Sequence, residues 1–361
     1  MAFTADELSN INNAALETYL NRGTVFKQNV ANKPMLEAFN AAAGSFTGGK
    51  DYVSFAVKSG QGGGSLTGYS GDDQVTYYNP VGIKRAKFAW KEHHIGMVVT
   101  HTELKQDGID VVENGTDQST RAMSDREAQA LANILDEKND TLGEDYAYAL
   151  NRLILGDGTS DSKAIAGIQA LILASPAVGT TGTIGRAANS WWRNRAATAA
   201  YFADGGTNAI TSATTNGGAL IEFLEKEWRQ LAKYRNGQTK YRTFAGSDWI
   251  AAYQKELRAN GQYSNLGFNG TGKTDGGMDA PTWKGTKIEW DPTLDDLGLA
   301  KRCYIIDMGR TGVRLLYMDG QRMKKHSPAR PYDRYVMYNG ITTTAVMVAR
   351  QLNTSAVYDI A

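Results

Sequence analysis

The sequence predicts an α+β fold built around one very long helix. Three observations carry this reading: two strand-like runs flanking a glycine-dense segment before residue 91, an apolar 3.6-residue period from about Thr120 to Leu155, and an α/β texture beyond it that gives way to strand-like runs from Gly312. The 361 residues, 42% hydrophobic and 21% charged, suffice for one large domain or two ordinary ones and exclude global disorder.

Taken in order, Ala5 to Asn21 combines an acidic start with apolar positions at helical spacing (Leu8, Ile11, Ala15, Leu16, Tyr19, Leu20), after which the chain to Gly49 breaks into short pieces rich in Asn, Ala and Gly. Residues 1–49 therefore read as an arm. From Asp51 to Lys58 the alternation places Val53, Phe55 and Val57 on one face, and a second β-like run covers Lys84 to Trp90. Together they predict a long hairpin over 50–91. Its tip, GQGGGSLTGYSGDD from Gly60 to Asp73, contains Gln61, the triplet Gly62, Gly63, Gly64, and Leu66. Glycine at that density gives backbone freedom and leaves little to bury. A hairpin alone is marginal in water, so this one needs another surface to lie on.

Between Thr120 and Leu155 the residues Leu131, Ile134, Leu135, Leu142, Tyr146, Ala149, Leu150, Leu153 and Ile154 stay close to one helical face. Such a helix would reach roughly 50 Å, with no heptad seam long enough for a coiled coil, and it suits an extended molecule. After GDGTSD the pattern gives a helix from about Ala219 to Arg235, a strand at Tyr241 to Ala245, a helix opening at Ser247, and strands near Lys287 and Tyr304. The first of these helices turns Leu220, Phe223, Leu224, Leu231 and Tyr234 to a core. Its pairs Glu222/Lys226 and Glu225/Arg229 read as a solvated face. The runs VRLLYM, YVMY and ITTTAVMVAR then return the chain to β structure.

Lys plus Arg number 39 against 38 Asp plus Glu, so any contact with nucleic acid has to be local. The single Cys303 lies in the apolar run CYII and reads as a small packed hydrophobe, in keeping with a reducing cytoplasm. MAFTADELSN lacks the basic and apolar regions of an export signal, and no apolar run of about 18 residues occurs, so membrane insertion is not expected.

The order of these parts resembles a Hong Kong 97-type major capsid protein of tailed bacteriophages. KDYVSFAVKSG, LTGYSGDDQVTYY, KRAKFAWKEHHIGMVVTHTELKQDGIDV, GIQALILASP and IGRAANSWWRNRA are similar to phage capsid sequences in wording and in order. The resemblance covers essentially the whole chain. It implies an N-arm (1–49), an E-loop hairpin (50–91), a P-domain opened by 92–155 with a spine helix at 120–155, an α/β A-domain (156–306), and returning P-domain strands (307–361). It further implies a shell of hexamers and pentamers of this chain, made in the host cytoplasm and resident in the virion capsid. The implied partners are a separate scaffolding protein, a portal protein at one vertex, an optional decoration protein, and packaged double-stranded DNA on the inner face, with no membrane. A fused scaffold is not expected, because the hairpin already begins near residue 50. Other phage ring or tube proteins form the neighbouring class. In part of the family a hairpin Lys joins a neighbour's Asn beside a carboxylate. Lys58 is the only element of that chemistry the sequence offers, so cross-linking is not carried over.

No catalytic, cofactor or metal residues are expected. GFNGTGKT, Gly267 to Thr274, matches G-x-x-x-x-G-K-[ST], and YIID at Tyr304 to Asp307 could accompany it as a second nucleotide motif. The flanks ANGQYSNL and DGGMDAPTWKG, however, are turn formers, with neither the strand nor the helix that a phosphate cradle requires. Glu92, His93, His94, His101 and Glu103 suggest a metal, but neighbours on a strand face opposite ways, so hydrogen bonding at the hairpin base is the better reading. Only four histidines are present and no Ser/His/Asp set emerges. Asp72-Asp73 and Asp295-Asp296 read as solvated turn charge. Trp191, Trp192, Arg193 and Arg195 read as filling the α/β part or a subunit contact, with nucleic-acid stacking the lesser reading. Arg322, Lys324, Lys325, His326, Arg330 and Arg334 form a local basic cluster for an acidic neighbour or for DNA. The assembly candidates are therefore Lys58, Gln61, Gly62, Gly63, Gly64, Leu66, Trp191, Trp192, Arg193, Arg195, Arg322, Lys324 and Lys325.

Overall fold

The apolar period in the middle of the chain becomes one unbroken helix, Asp125–Leu155, of 31 residues and about 46 Å. The computed structural model describes residues 3–4, 32–48, 50–59, 66–77, 82–106, 111–112, 125–202, 210, 219–259, 268–269, 273–274, 281–326 and 335–361. The helical pattern at Ala5 to Asn21, the positions Gln61 and Gly62 to Gly64, and the basic residues Arg330 and Arg334 lie outside them. Two compact units result: Met1–Ala31 with Lys91–Arg152 and Tyr317–Ala345, and Asn32–Trp90 with Leu153–Leu316 and Val346–Ala361. No helix among the described residues is long and apolar enough to cross a membrane.

In the first unit the chain-end runs YVMY and ITTTAVMVAR fuse into a single strand, Val336–Ala349. It pairs antiparallel with Lys91–Thr100 from Val336↔Thr100 to Ala345↔Lys91, and on its other side with Lys324–His326. Residues facing each other across an antiparallel pair share a face. Ile95, Met97 and Ile341 accordingly pack with Leu142 and Tyr146 of the long helix. The Tyr146 hydroxyl is fixed to Thr343 Oγ1 at 2.7 Å, and burial raises its pKa. Beyond the strand, Thr100 and Glu103 cap the short helix His101–Gln106 reciprocally: the Thr100 amide donates to Glu103 Oε2 at 3.0 Å and the Glu103 amide to Thr100 Oγ1 at 3.2 Å.

The second unit is built on a mixed seven-stranded sheet in the order Tyr201–Phe202, Arg195–Thr198, Ala356–Asp359, Arg302–Asp307, Tyr241–Ala245, Thr286–Trp290, Thr282–Trp283. Alternation sends Cys303, Ile305, Ala356 and Tyr358 to one face, where the helices Ala219–Ala232 and Ser247–Ala259 cover them with Leu220, Leu224, Leu231, Trp249, Tyr253 and Leu257. The last strand departs from the sequence reading, which placed all of 307–361 among the returning P-domain strands. Ala356–Asp359 lies mid-sheet instead, between Arg302–Asp307 and Arg195–Thr198. Its residues Ala356, Val357 and Tyr358 are all buried, as only a central strand permits. Arg302 locks it with a bidentate pair to Asp359, at 2.7 and 2.8 Å.

Cys303 sits inside this sheet, and desolvation holds its thiol well above the usual range. Iodoacetamide is therefore expected to leave the native protein unlabelled and to react only in denaturant, because the nucleophile is the thiolate. Labelling of the native protein at the rate of a free thiol would place Cys303 outside the core.

The hairpin belongs to the second unit. Tyr52–Lys58 and Ile83–Ala89 pair in register from Tyr52↔Ala89 to Lys58↔Ile83. Val53, Val57, Ala86 and Phe88 are buried. Three contacts hold the hairpin on the α/β body: the Lys87 amide donates to the Gly182 carbonyl at 2.9 Å, Lys84 Nζ to Asn189 Oδ1 at 2.8 Å, and the Arg350 guanidinium lies 4.2 Å from the Phe55 ring centroid. Gly182 is required there twice over, by its φ of +59° and because a Cβ would stand 2.8 Å from the Phe88 ring.

Candidate assembly surfaces

The stretches GIQALILASP and IGRAANSWWRNRA meet around one buried side chain, Arg186. Its guanidinium is 0% exposed and donates to Thr181 Oγ1 at 2.9 Å, to Asn194 Oδ1 at 2.7 Å and to the Leu171 carbonyl. Desolvation, aided by the Arg193 charge, lowers its pKa to about 10. Asn194 completes the join by bonding both the amide and the carbonyl of Leu173. Arg186 is thus a structural pin held by neutral acceptors, and the sequence reading did not single it out.

Trp192 is buried at 1% exposure, with Nε1 donating to the Thr181 carbonyl at 3.0 Å. It fills the unit's interior, whereas Trp191 remains half-buried with its ring 5.8 Å from that of Trp192. Arg193 is held by the carbonyls of Arg186 and Ala187, both at 2.8 Å. Arg195 is committed inward as well. It forms a bidentate pair with Glu227, which is 1% exposed and also accepts from the Tyr358 hydroxyl at 3.0 Å. Glu227 occupies a core position of its helix with Leu220, Leu224 and Leu231, so its place in the 3.6-residue period was the signal that could have revealed it. Its neighbour Glu225 reaches out to Lys284 at 3.0 Å.

Lys58 is exposed at the end of its hairpin strand and borders a cavity of about 690 Å³ together with Trp191, Arg193, Arg195 and Arg350. Leu66 is fully exposed, and the residues from it to Tyr77 are all exposed. Arg322, Lys324 and Lys325 belong to the other compact unit. There Arg322 lies over the Tyr317 ring at 5.2 Å, and Lys324 and Lys325 face Thr342 and Ile341 in the sheet. The predicted candidates therefore fall into two groups, one in each unit.

The remaining motifs resolve into structure. Phe268–Asn269 pairs antiparallel with Lys273–Thr274, so the Lys-Thr of the G-x-x-x-x-G-K-[ST] match lies in extended backbone where a phosphate cradle needs a helix start. Glu92 and His94 are exposed on the sheet face opposite His93, and the His94 ring lies across Gly96 and Gly340. His101 is buried beneath Tyr335, and Glu103 pairs with Lys138 at 2.8 Å, which lowers its pKa. No cluster of metal-ligating side chains occurs among the described residues. Asp295 is more than loop charge, for it accepts from the Ser247 amide at the start of a helix and from Trp290 Nε1.

The chain is similar to the "Cyanophage A-1(L) capsid asymmetric unit" with TM-score 0.58 and 13% identity, over 93% of this chain and 95% of that one. The fold is the Hong Kong 97-type capsid fold. Two further similar structures are the "Cyanophage Pam1 capsid asymmetric unit", TM-score 0.53, 12% identity, covering 93% and 94%, and "The capsid of Myoviridae Phage XM1", TM-score 0.52, 11% identity, covering 94% and 95%. No protein-family model matches the chain, and no curated protein sequence does.

Proposed function

We propose that this chain is the major capsid protein of a tailed bacteriophage, a structural subunit that assembles through hexamers and pentamers into an icosahedral shell and catalyses no turnover reaction. The observation that carries the reading is the full-length match, over 93–94% of the chain, to subunits of three phage capsids. The parts are assigned as arm 1–49, E-loop 50–91, P-domain 92–155 with the strands that return before residue 346, and A-domain 156–306 completed by the closing strand. The hairpin segment 66–77, exposed throughout, is a surface a lone subunit leaves uncovered and a neighbour covers. Many modest contacts then act together, because each subunit binds several neighbours. A separate scaffolding protein, a portal protein, an optional decoration protein and packaged double-stranded DNA complete the partners, in the host cytoplasm and then the virion.

Electron microscopy of the expressed protein, alone and with its scaffolding protein, tests this. Closed shells are expected; rings, tubes or a persistent monomer would overturn it. Lys273→Ala is expected to leave shells unchanged, with no ATP binding above background in either protein. A micromolar nucleotide affinity lost in that variant would restore the enzyme reading.

A further inference from the structure

The second unit gathers cations with little counter-charge. A cavity of about 890 Å³ beside the helix Pro34–Ala41 is lined by Lys240, Arg242, Arg310 and Arg314 against a single carboxylate, Glu37. Arg242 is already closed on Glu289, at 3.0 and 2.9 Å, and Arg314 donates twice to the Ala42 carbonyl, at 3.1 and 2.7 Å. Arg310 is exposed. No carboxylate among the described residues pairs with Arg310, Arg314 or Arg350. Arg350 is joined to the Arg310–Arg314 turn through its backbone, its amide donating to the Gly312 carbonyl at 3.4 Å, and burial, then the charges of Arg314 and Arg310, lower its pKa. Like charges held together in this way make a preformed site for an anion.

One exposed segment has the matching chemistry. Residues 66–77, LTGYSGDDQVTY, carry two acids and no base. The acids sit in a formed turn: the Ser70 amide donates to Asp73 Oδ2 at 2.9 Å and the Asp73 amide to the Ser70 carbonyl at 3.1 Å. Asp72 makes no interaction among the described residues and so does not reach the arginines of its own chain. Leu66, Tyr69 and Tyr77 flank the turn at 105%, 70% and 90% exposure, an apolar rim that a partner would cover.

We propose that the Asp72–Asp73 turn of a second copy of this chain docks on the Arg310–Arg314–Arg350 cluster. The inference rests on the shell reading above and names the surface that one subunit's hairpin meets on the next. Charge complementarity selects the occupant. Asp72 is the free carboxylate and Arg310 the free guanidinium, whereas Asp73 also holds the turn and Arg314 the helix end.

The test is a charge swap in the full chain: Asp72→Lys, Arg310→Glu and the double variant, each assembled beside wild type and scored for shells. Each single variant is expected to cut shell yield about tenfold or more, because like charges then face each other, and the double variant to recover to within about threefold of wild type. Unchanged melting temperatures would assign the loss to assembly. Shells at wild-type yield from either single variant, or no recovery in the double, would overturn the docking. Absence of shells from wild type would instead sink the shell reading. Cysteines placed at 72 in one population and 310 in another supply a second measurement, a disulfide between chains on mixing and oxidation; its absence in assembled particles counts against the proposal. If Arg310→Glu abolishes retention of a short DNA duplex while Asp72→Lys assembles normally, the cluster serves nucleic acid and the docking is wrong.

Discussion

Arg195→Ala is expected to lower the stability of the α/β unit by about 3 kcal/mol, because it strands a buried carboxylate. Glu227 is 1% exposed and has the Arg195 guanidinium and the Tyr358 hydroxyl as partners. Removing the cation leaves the charge in a low-dielectric interior with one neutral donor, and that desolvation cost dominates the attraction lost. The double variant Arg195→Met with Glu227→Gln removes the charge and keeps an acceptor for Tyr358. It is therefore expected to recover roughly 1–2 kcal/mol of the loss. Denaturant midpoints at unchanged slope give both numbers. An Arg195→Ala midpoint within about 0.5 kcal/mol of wild type would show that the pair is not structural.

Deleting Gln61 to Leu66 is expected to separate assembly from folding. Five of the six residues are Gln, Gly, Gly, Gly and Ser, and the sixth, Leu66, is fully exposed, so the subunit loses almost no buried apolar area. Its circular dichroism spectrum and melting temperature should stay close to wild type. Shells should be few or absent, because the shortened hairpin no longer delivers residues 67–77 to a neighbour. Normal shells would show that the tip is not an assembly element, and a grossly unfolded protein would place it in the subunit's own core.

The Arg195 variants probe a side chain whose partner lies far away in sequence, and there the sequence was least legible. Trp192 and Arg195 read equally as filling the α/β part or a subunit contact, because aromatic and basic neighbours look alike at a surface and in a core. Only the sheet showed that Arg195 turns inward to a carboxylate 32 residues away. Arg186, held by Thr181, Asn194 and Leu171, gave no sequence signal, since buried arginines are rare and these acceptors are neutral. Arg310 and Arg314 line one cavity, and Arg350, 36 residues beyond Arg314, is tied by its amide to the Gly312 carbonyl between them.

What the sequence determined by itself was the set of local elements. The alternation at Val53, Phe55 and Val57, the strand Tyr241–Ala245, the helix opening at Ser247 and the long helix ending at Leu155 all stand where their periods put them, because side-chain period is a property of neighbouring residues. Tertiary structure decided what the elements join. It placed Ala356–Asp359 in the middle of the seven-stranded sheet, merged two runs into Val336–Ala349, and laid the hairpin on the Gly182 loop. Strand order and buried polar pairing depend on which distant segments satisfy each other's backbone groups and charges, and no local period records that choice.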